Sequence, residues 1–179
     1  MTSNATLIRT LSRFFFLACA AFLLTACASL REPESFTSAF STPEGNRIWV
    51  LRTVFDDSWG VPGGGVSCCW KAAGRGAINW QKLPEKVYVR WLQREEGITY
   101  EAEVMLTEDL DRLARDLTPY TVGHTGEERL RRNLIIGMLP EGEVVVWLSN
   151  AATDRNKTGR VIHEVGRAKA RVYESETEG

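Results

Sequence analysis

Val87-Tyr88-Val89-Arg90-Trp91-Leu92 is the stretch that decides the class of fold. Val87, Val89 and Trp91 alternate with Tyr88, Arg90 and Leu92, and β-branched and aromatic side chains dominate, so the pattern predicts a strand. Glu95-Glu96-Gly97 makes a short connection. Thr99 to Leu106 alternates again, with Tyr100, Ala102, Val104 and Leu106 expected inward and Glu101 and Glu103 outward. The two runs read as an antiparallel hairpin with one wet face.

Further along, a helix is predicted. Thr107 can cap it, Glu108, Asp109 and Asp111 put negative charge at its positive end, and Leu110, Leu113, Ala114 and Leu117 form one stripe. Pro119 marks its stop. Residues 120–132 are polar and are expected as an exposed insertion or a short second helix. Asn133 to Leu139, the turn Pro140-Glu141-Gly142 and Glu143 to Leu148 read as a second hairpin, central because both halves are continuously apolar. Arg160 to Val165 is a further strand, Gly166 to Tyr173 is helix or edge strand, and residues 174–179 are expected to fray.

Upstream of the first hairpin, Ile48 to Phe55 is apolar on both faces and predicts an internal strand, which makes Trp49 as well as Trp91 a core residue. Asp56-Asp57-Ser58 turns the chain. Gly60-Val61-Pro62-Gly63-Gly64-Gly65 is a loop that leads Val66 to Trp70 into the fold; without a following Gly-Lys-Ser/Thr it is not a phosphate loop. The class expected for residues 47–173 is α+β, a single predominantly antiparallel β domain, sandwich-like, with one packed helix.

The first residues carry a different signal. Arg9 and Arg13 precede the uninterrupted apolar run Phe14 to Leu24, the layout of a secretory segment. Leu24-Thr25-Ala26-Cys27 resembles the bacterial lipobox, in which the chain is cut before a cysteine that already carries diacylglycerol. Residues 1–26 would then be removed and Cys27 lipidated, and two or three acyl chains hold a protein on a bilayer almost permanently. An uncleaved membrane helix over Phe14 to Leu30 is the alternative, at the short limit for crossing a bilayer. Ala28 and Ser29 follow Cys27 where an aspartate would retain an enteric lipoprotein in the inner membrane, so the outer membrane, periplasmic face, is expected, with the inner membrane and the cell surface left open. Residues 27–46 mix Ser, Thr, Pro and Glu and read as a tether reaching roughly 25 Å; a partly ordered first strand around Phe36 and Phe40 is the other reading.

Without residues 1–26 the 179-residue chain keeps 153, enough for one domain. Arg9 and Arg13 leave with the signal, so 20 basic residues face 23 acidic ones, a balance of −3 that does not suit a nucleic-acid binder. Of four cysteines, Cys19 and Cys27 belong to the signal and the lipid site, leaving Cys68-Cys69. In an oxidising compartment this pair closes a vicinal disulfide, bonds another chain, or stays reduced by burial. Neither a metal site nor a cofactor is expected, because no further Cys or nearby His completes a ligand set.

Catalytic residues are not expected either. His124 lies in a Gly-rich polar loop and His163 in a strand, and no nucleophile elbow, His-Glu-x-x-His or Walker loop occurs. Asp56-Asp57 reads as turn chemistry. A binding module fits better, since six tryptophans exceed what a small core needs and Trp and Arg anchor interfaces. Trp59 and Trp80 flank loops and are the aromatic candidates. Arg129, Arg131 and Arg132 form a basic cluster for an acidic partner or anionic headgroups, set against the alternative of a solvated face balanced by Glu127 and Glu128.

The order Cys68-Cys69-Trp70, Pro84 to Trp91, Tyr100 to Leu106, the helix, Leu134 to Leu139, Pro140-Glu141-Gly142 and Val144 to Leu148 resembles the DUF2931 group of bacterial lipoproteins. The Gly63-Gly64-Gly65 loop before the cysteines also resembles DUF3304 lipoproteins. Neither likeness carries a catalytic motif onto these residues. The resemblance implies a periplasmic immunity protein that accompanies a phospholipase effector of a type VI secretion system, covering its active site through residues 56–70 and 119–132. An envelope structural or assembly lipoprotein without a toxin partner is the alternative, and a hydrolase using His124 or His163 the third.

Overall fold

The computed structural model describes residues 35–174. The stretch expected to be a secretory segment, the expected lipidation site Cys27 and the tail from residue 175 lie outside them. Within them the chain is mostly antiparallel strand with one short helix. A five-stranded sheet has the order β13 (Ile162–Lys169), β11 (Glu143–Ser149), β10 (Asn133–Met138), β1 (Phe36–Ser41), β5 (Arg75–Asn79). A six-stranded sheet runs β14 (Arg171–Val172), β7 (Ile98–Met105), β6 (Lys86–Gln93), β2 (Ile48–Phe55), β3 (Trp59–Gly60), with β4 (Gly64–Val66) also on β2.

Both predicted hairpins are present. Val87 pairs Val104 and Trp91 pairs Tyr100 in one; Leu134 pairs Leu148 and Ile136 pairs Val146 in the other. Every residue of β10 is buried, which is why its sequence is apolar without alternation. One cluster of buried side chains draws on both sheets, among them Phe36, Phe40, Ile136 and Val146 from the first and Val50, Val89, Trp91 and Val104 from the second. Removing apolar surface of that size contributes about 1.5–3 kcal/mol per large side chain.

The tether expectation is corrected by β1. Phe36 to Ser41 is a strand held on both sides, parallel to β10 and antiparallel to β5. Its two phenylalanines are fully buried, and its hydroxyl groups are satisfied at long range: Asn79 Nδ2 donates to Ser38 Oγ at 3.0 Å and Ser41 Oγ donates to the Cys69 carbonyl at 2.6 Å. The domain therefore starts near residue 35, not at Arg47.

Two further expectations change. The polar stretch after Pro119 forms no helix: β8 (Tyr120–Val122) and β9 (Glu128–Arg129) pair with β12 (Lys157–Thr158) in a small third sheet. The helix, α1, covers only Leu110–Arg115; its N-cap is Asp109, which makes no capping bond and instead accepts from Arg112, while the Thr107 hydroxyl accepts from the Asp109 N–H at 3.4 Å just ahead of the helix. Its stripe does pack, with Leu110, Ala114 and Leu117 buried. Of the two readings for Gly166 to Tyr173 the strand holds: β13 continues to Lys169, the strand breaks at Ala170, and β14 passes onto the edge of the other sheet.

Candidate functional site

Three segments meet at the end of the six-stranded sheet where β2 and β7 finish and β6 begins. The β2 end turns through Asp56 and Asp57, both at positive φ (48° and 54°), as a tight hairpin turn of the primed type requires. Ser58 N donates to the Phe55 carbonyl at 3.0 Å and closes the turn. The Asp56 carboxylate serves a distant segment: it accepts from the backbone N–H groups of Glu85 (2.8 Å) and Lys86 (3.1 Å), pinning the start of β6. Lys86 Nζ in turn lies 2.7 Å from Asp57 Oδ2 and 3.0 Å from Glu103 Oε2. These hydrogen bonds, that to Asp57 first, hold its ammonium pKa above the ordinary value.

Trp59 follows the turn and is half-buried, stacked on Phe55 with ring centres 4.4 Å apart and standing 6.0 Å from Phe36. Beside it opens a hollow of about 520 Å³ lined by Asp56, Trp59, Lys82, Glu85, Lys86 and Met105. A second hollow of about 370 Å³ shares Lys82, Glu85 and Met105 and continues to Leu110 and Asp111 at the start of α1. Together they make a groove with Trp59, Met105, Leu83 and Leu110 as apolar lining and charges of both signs at the rim. Met105 is 63 % exposed and Trp80, next to Gln81 of the lining, 70 %.

The arginine cluster does not converge. Arg129 is tied to Glu127 at 2.6 Å. Arg132 Nε donates to the Ala114 carbonyl at the end of α1, at 3.1 Å. Arg131 stays exposed, its backbone N–H bonded to the Asn150 carbonyl. Trp49, expected in the core, is 46 % exposed on the outer face of the six-stranded sheet, beneath the Arg94 guanidinium.

That outer face carries a site the sequence reading missed. Glu101, expected in solvent, is only 8 % exposed. It accepts a hydrogen bond from the Tyr88 hydroxyl and two from Arg171, from Nε at 2.9 Å and Nη2 at 2.7 Å. The Tyr88 bond first, then Arg171, hold its pKa below the ordinary carboxylate value against the opposing effect of burial. Arg90 pairs Glu101 across the hairpin and lies 4.0 Å over the Tyr173 ring. The facing of Tyr88 and Arg90 toward Glu101 is legible once the hairpin register is set; the contribution of Arg171, seventy residues away, is not.

Cys68 and Cys69 are bonded to each other. Their loop hangs on the far end of β1: Thr42 N donates to the Cys68 carbonyl at 3.2 Å and Cys69 N to Glu44 Oε1 at 3.4 Å. Glu44 and both sulfurs lie within 4.8 Å of one another, but thiolates and not disulfide sulfurs ligate metals. Among the described residues neither His124 nor His163 has a side-chain hydrogen bond or ion pair.

The family model for DUF2931, a protein of unknown function, matches residues 25–177. No curated protein matches the chain. No solved structure does.

Proposed function

We propose, from the premise that this chain belongs to the DUF2931 family, that it is a protein-binding module and not an enzyme. In this reading the two larger sheets are the halves of a sandwich, lipidated Cys27 anchors it to the outer membrane on the periplasmic face, and it works as an immunity-type inhibitor of a type VI secretion phospholipase effector. The groove beside Trp59 and Met105 is the observation that carries the binding function. Interfaces combine aromatic and Met side chains at the centre with a polar rim that sets register. The groove has that composition, with Lys82 and Lys86 facing Asp56 and Glu85 around an apolar floor.

Met105 lies on the solvent face of β7 beside Glu103, where an apolar side chain has no fold partner, and an effector in the groove would cover it. The test is co-expression with the product of an adjacent toxin gene. Rescue of growth that is lost on Met105→Glu supports the reading. A genome in which no toxin gene adjoins this one, with a deletion strain that leaks periplasmic contents, points to the envelope assembly role and sinks the inhibitor.

A further inference from the structure

We infer that the end of the domain at which the chain comes in, at Phe36, is a surface that rests in the phospholipid headgroup region, with Trp80 and Ile78 as its apolar contacts and Lys82 and Arg131 as its cations. The inference rests on the proposed lipid anchor at Cys27.

Strand register places these groups together. Phe36 pairs Asn79 and Thr37 pairs Ile78, so Trp80, the next residue along, lies beside the point where β1 begins. On the other side of β1 the Thr37 N–H donates to the Arg132 carbonyl at 2.8 Å, which sets exposed Arg131 next to the same point. Phe36 touches Trp59, and Trp59 shares its hollow with Lys82.

The edge itself is unusual. β5 is the last strand of its sheet, and edge strands normally carry Lys, Pro or a bulge to block unwanted pairing. β5 carries one charge, Arg75, at its far end, while the stretch Gly76-Ala77-Ile78-Asn79-Trp80 toward the start of β1 has none, and Ile78 and Trp80 are 61 % and 70 % exposed. Tryptophan and aliphatic side chains left in water at an edge are a liability in a free protein. They are stable at a bilayer interface, where an indole sits with its ring in the acyl boundary and its N–H among headgroups.

The length of chain before β1 says which surface covers them. From Cys27 to Phe36 is nine residues, at most about 31 Å when drawn out straight. An anchor at Cys27 would hold the start of β1 within that reach of the bilayer. The groove shares Lys82 with this surface, so a protein held there meets the domain at the membrane and not far above it.

The test uses the full lipoprotein in vesicles of phosphatidylethanolamine and phosphatidylglycerol with brominated acyl chains, reading tryptophan quenching. Trp80→Phe is expected to remove the greater part of the quenching and Trp49→Phe to leave it intact. Equal quenching in wild type and Trp80→Phe, or a loss in Trp49→Phe instead, overturns the inference. Mass spectrometry of the N-terminal peptide reads the anchor separately: an acylated Cys27 with unchanged quenching in Trp80→Phe sinks the orientation alone, whereas an unacylated Cys27 removes the anchor and the orientation together. If a protein partner, and not vesicles, shields Trp80 from N-bromosuccinimide, the patch belongs to that protein and the inference also fails.

Discussion

Trp70 meets Trp147 edge to face, with ring centres 4.8 Å apart and planes at 89°. Gly137 of β10 lies against both, and a Cβ there would come within 2.7 Å of each indole. Gly137→Ala is expected to push Trp70 off the sheet and cost about 1–3 kcal/mol, the usual range for overpacking. A urea titration followed by tryptophan emission checks it: a lower midpoint with unchanged slope is expected, with a red-shifted native spectrum.

The domain boundary gives a sharper test. A chain beginning at Ser35 is expected to fold, and one beginning at Arg47 is not. The second lacks Phe36 and Phe40, and each buried phenylalanine is worth about 3–5 kcal/mol against a total stability of about 5–15 kcal/mol. Cooperative thermal unfolding of the Arg47 chain would contradict the place of β1 in the core.

Glu101 predicts how stability depends on acid. Its folded pKa is depressed below the ordinary 4.5, so ionised Glu101 stabilises the fold above that value, and the contribution is lost as pH falls through the folded pKa. Glu101→Gln is expected to lose about 1.5–3 kcal/mol at neutral pH, the range for hydrogen bonds to a charged group. The difference from wild type should shrink steadily below pH 4.5 in denaturant midpoints measured across the acid range.

Reducing Cys68-Cys69 is expected to change global stability by about 1 kcal/mol or less, because a bridge between adjacent residues removes little chain entropy. The local effect is larger. Cys69 and Lys71 hold positive φ (78° and 63°) in the loop that carries Trp70, so near-ultraviolet circular dichroism should change on reduction while the melting temperature barely moves.

At the groove, Trp59→Ala and Met105→Glu should separate folding from binding. Trp59 stacks on Phe55 in the core wall, so its loss is expected to destabilise by about 2 kcal/mol or more. Met105 is exposed, so its replacement should stay within about 0.5 kcal/mol of wild type and still abolish partner binding by calorimetry.

The two hairpins were legible because alternation or continuous apolarity is a local property, readable in Val87 to Leu92 and in Val144 to Leu148. β1 was not. Its Thr37, Ser38 and Ser41 look like linker residues until Asn79, Cys69 and Met138 are known to stand beside this end of the chain; the Thr42 hydroxyl donates to the Met138 carbonyl ninety-six positions on. The groove was half legible. Trp59 reads as a loop aromatic, but Met105 and Lys82 join it only through the pairing of β6 with β7 and the Asp56 bonds to β6. The charge run Glu127 to Arg132 suggested a patch, and pairing within it, Arg129 with Glu127, dissolves the patch.

Phe36 to Ser41 is translated early and yet sits inside its sheet, paired on both sides, between a strand that begins at Arg75 and one that ends at Met138. A chain emerging amino end first must keep two buried phenylalanines waiting until about a hundred more residues have followed. Such sequence-distant closure is slow, so this short segment is the part of the core most open to off-pathway contact while the chain folds.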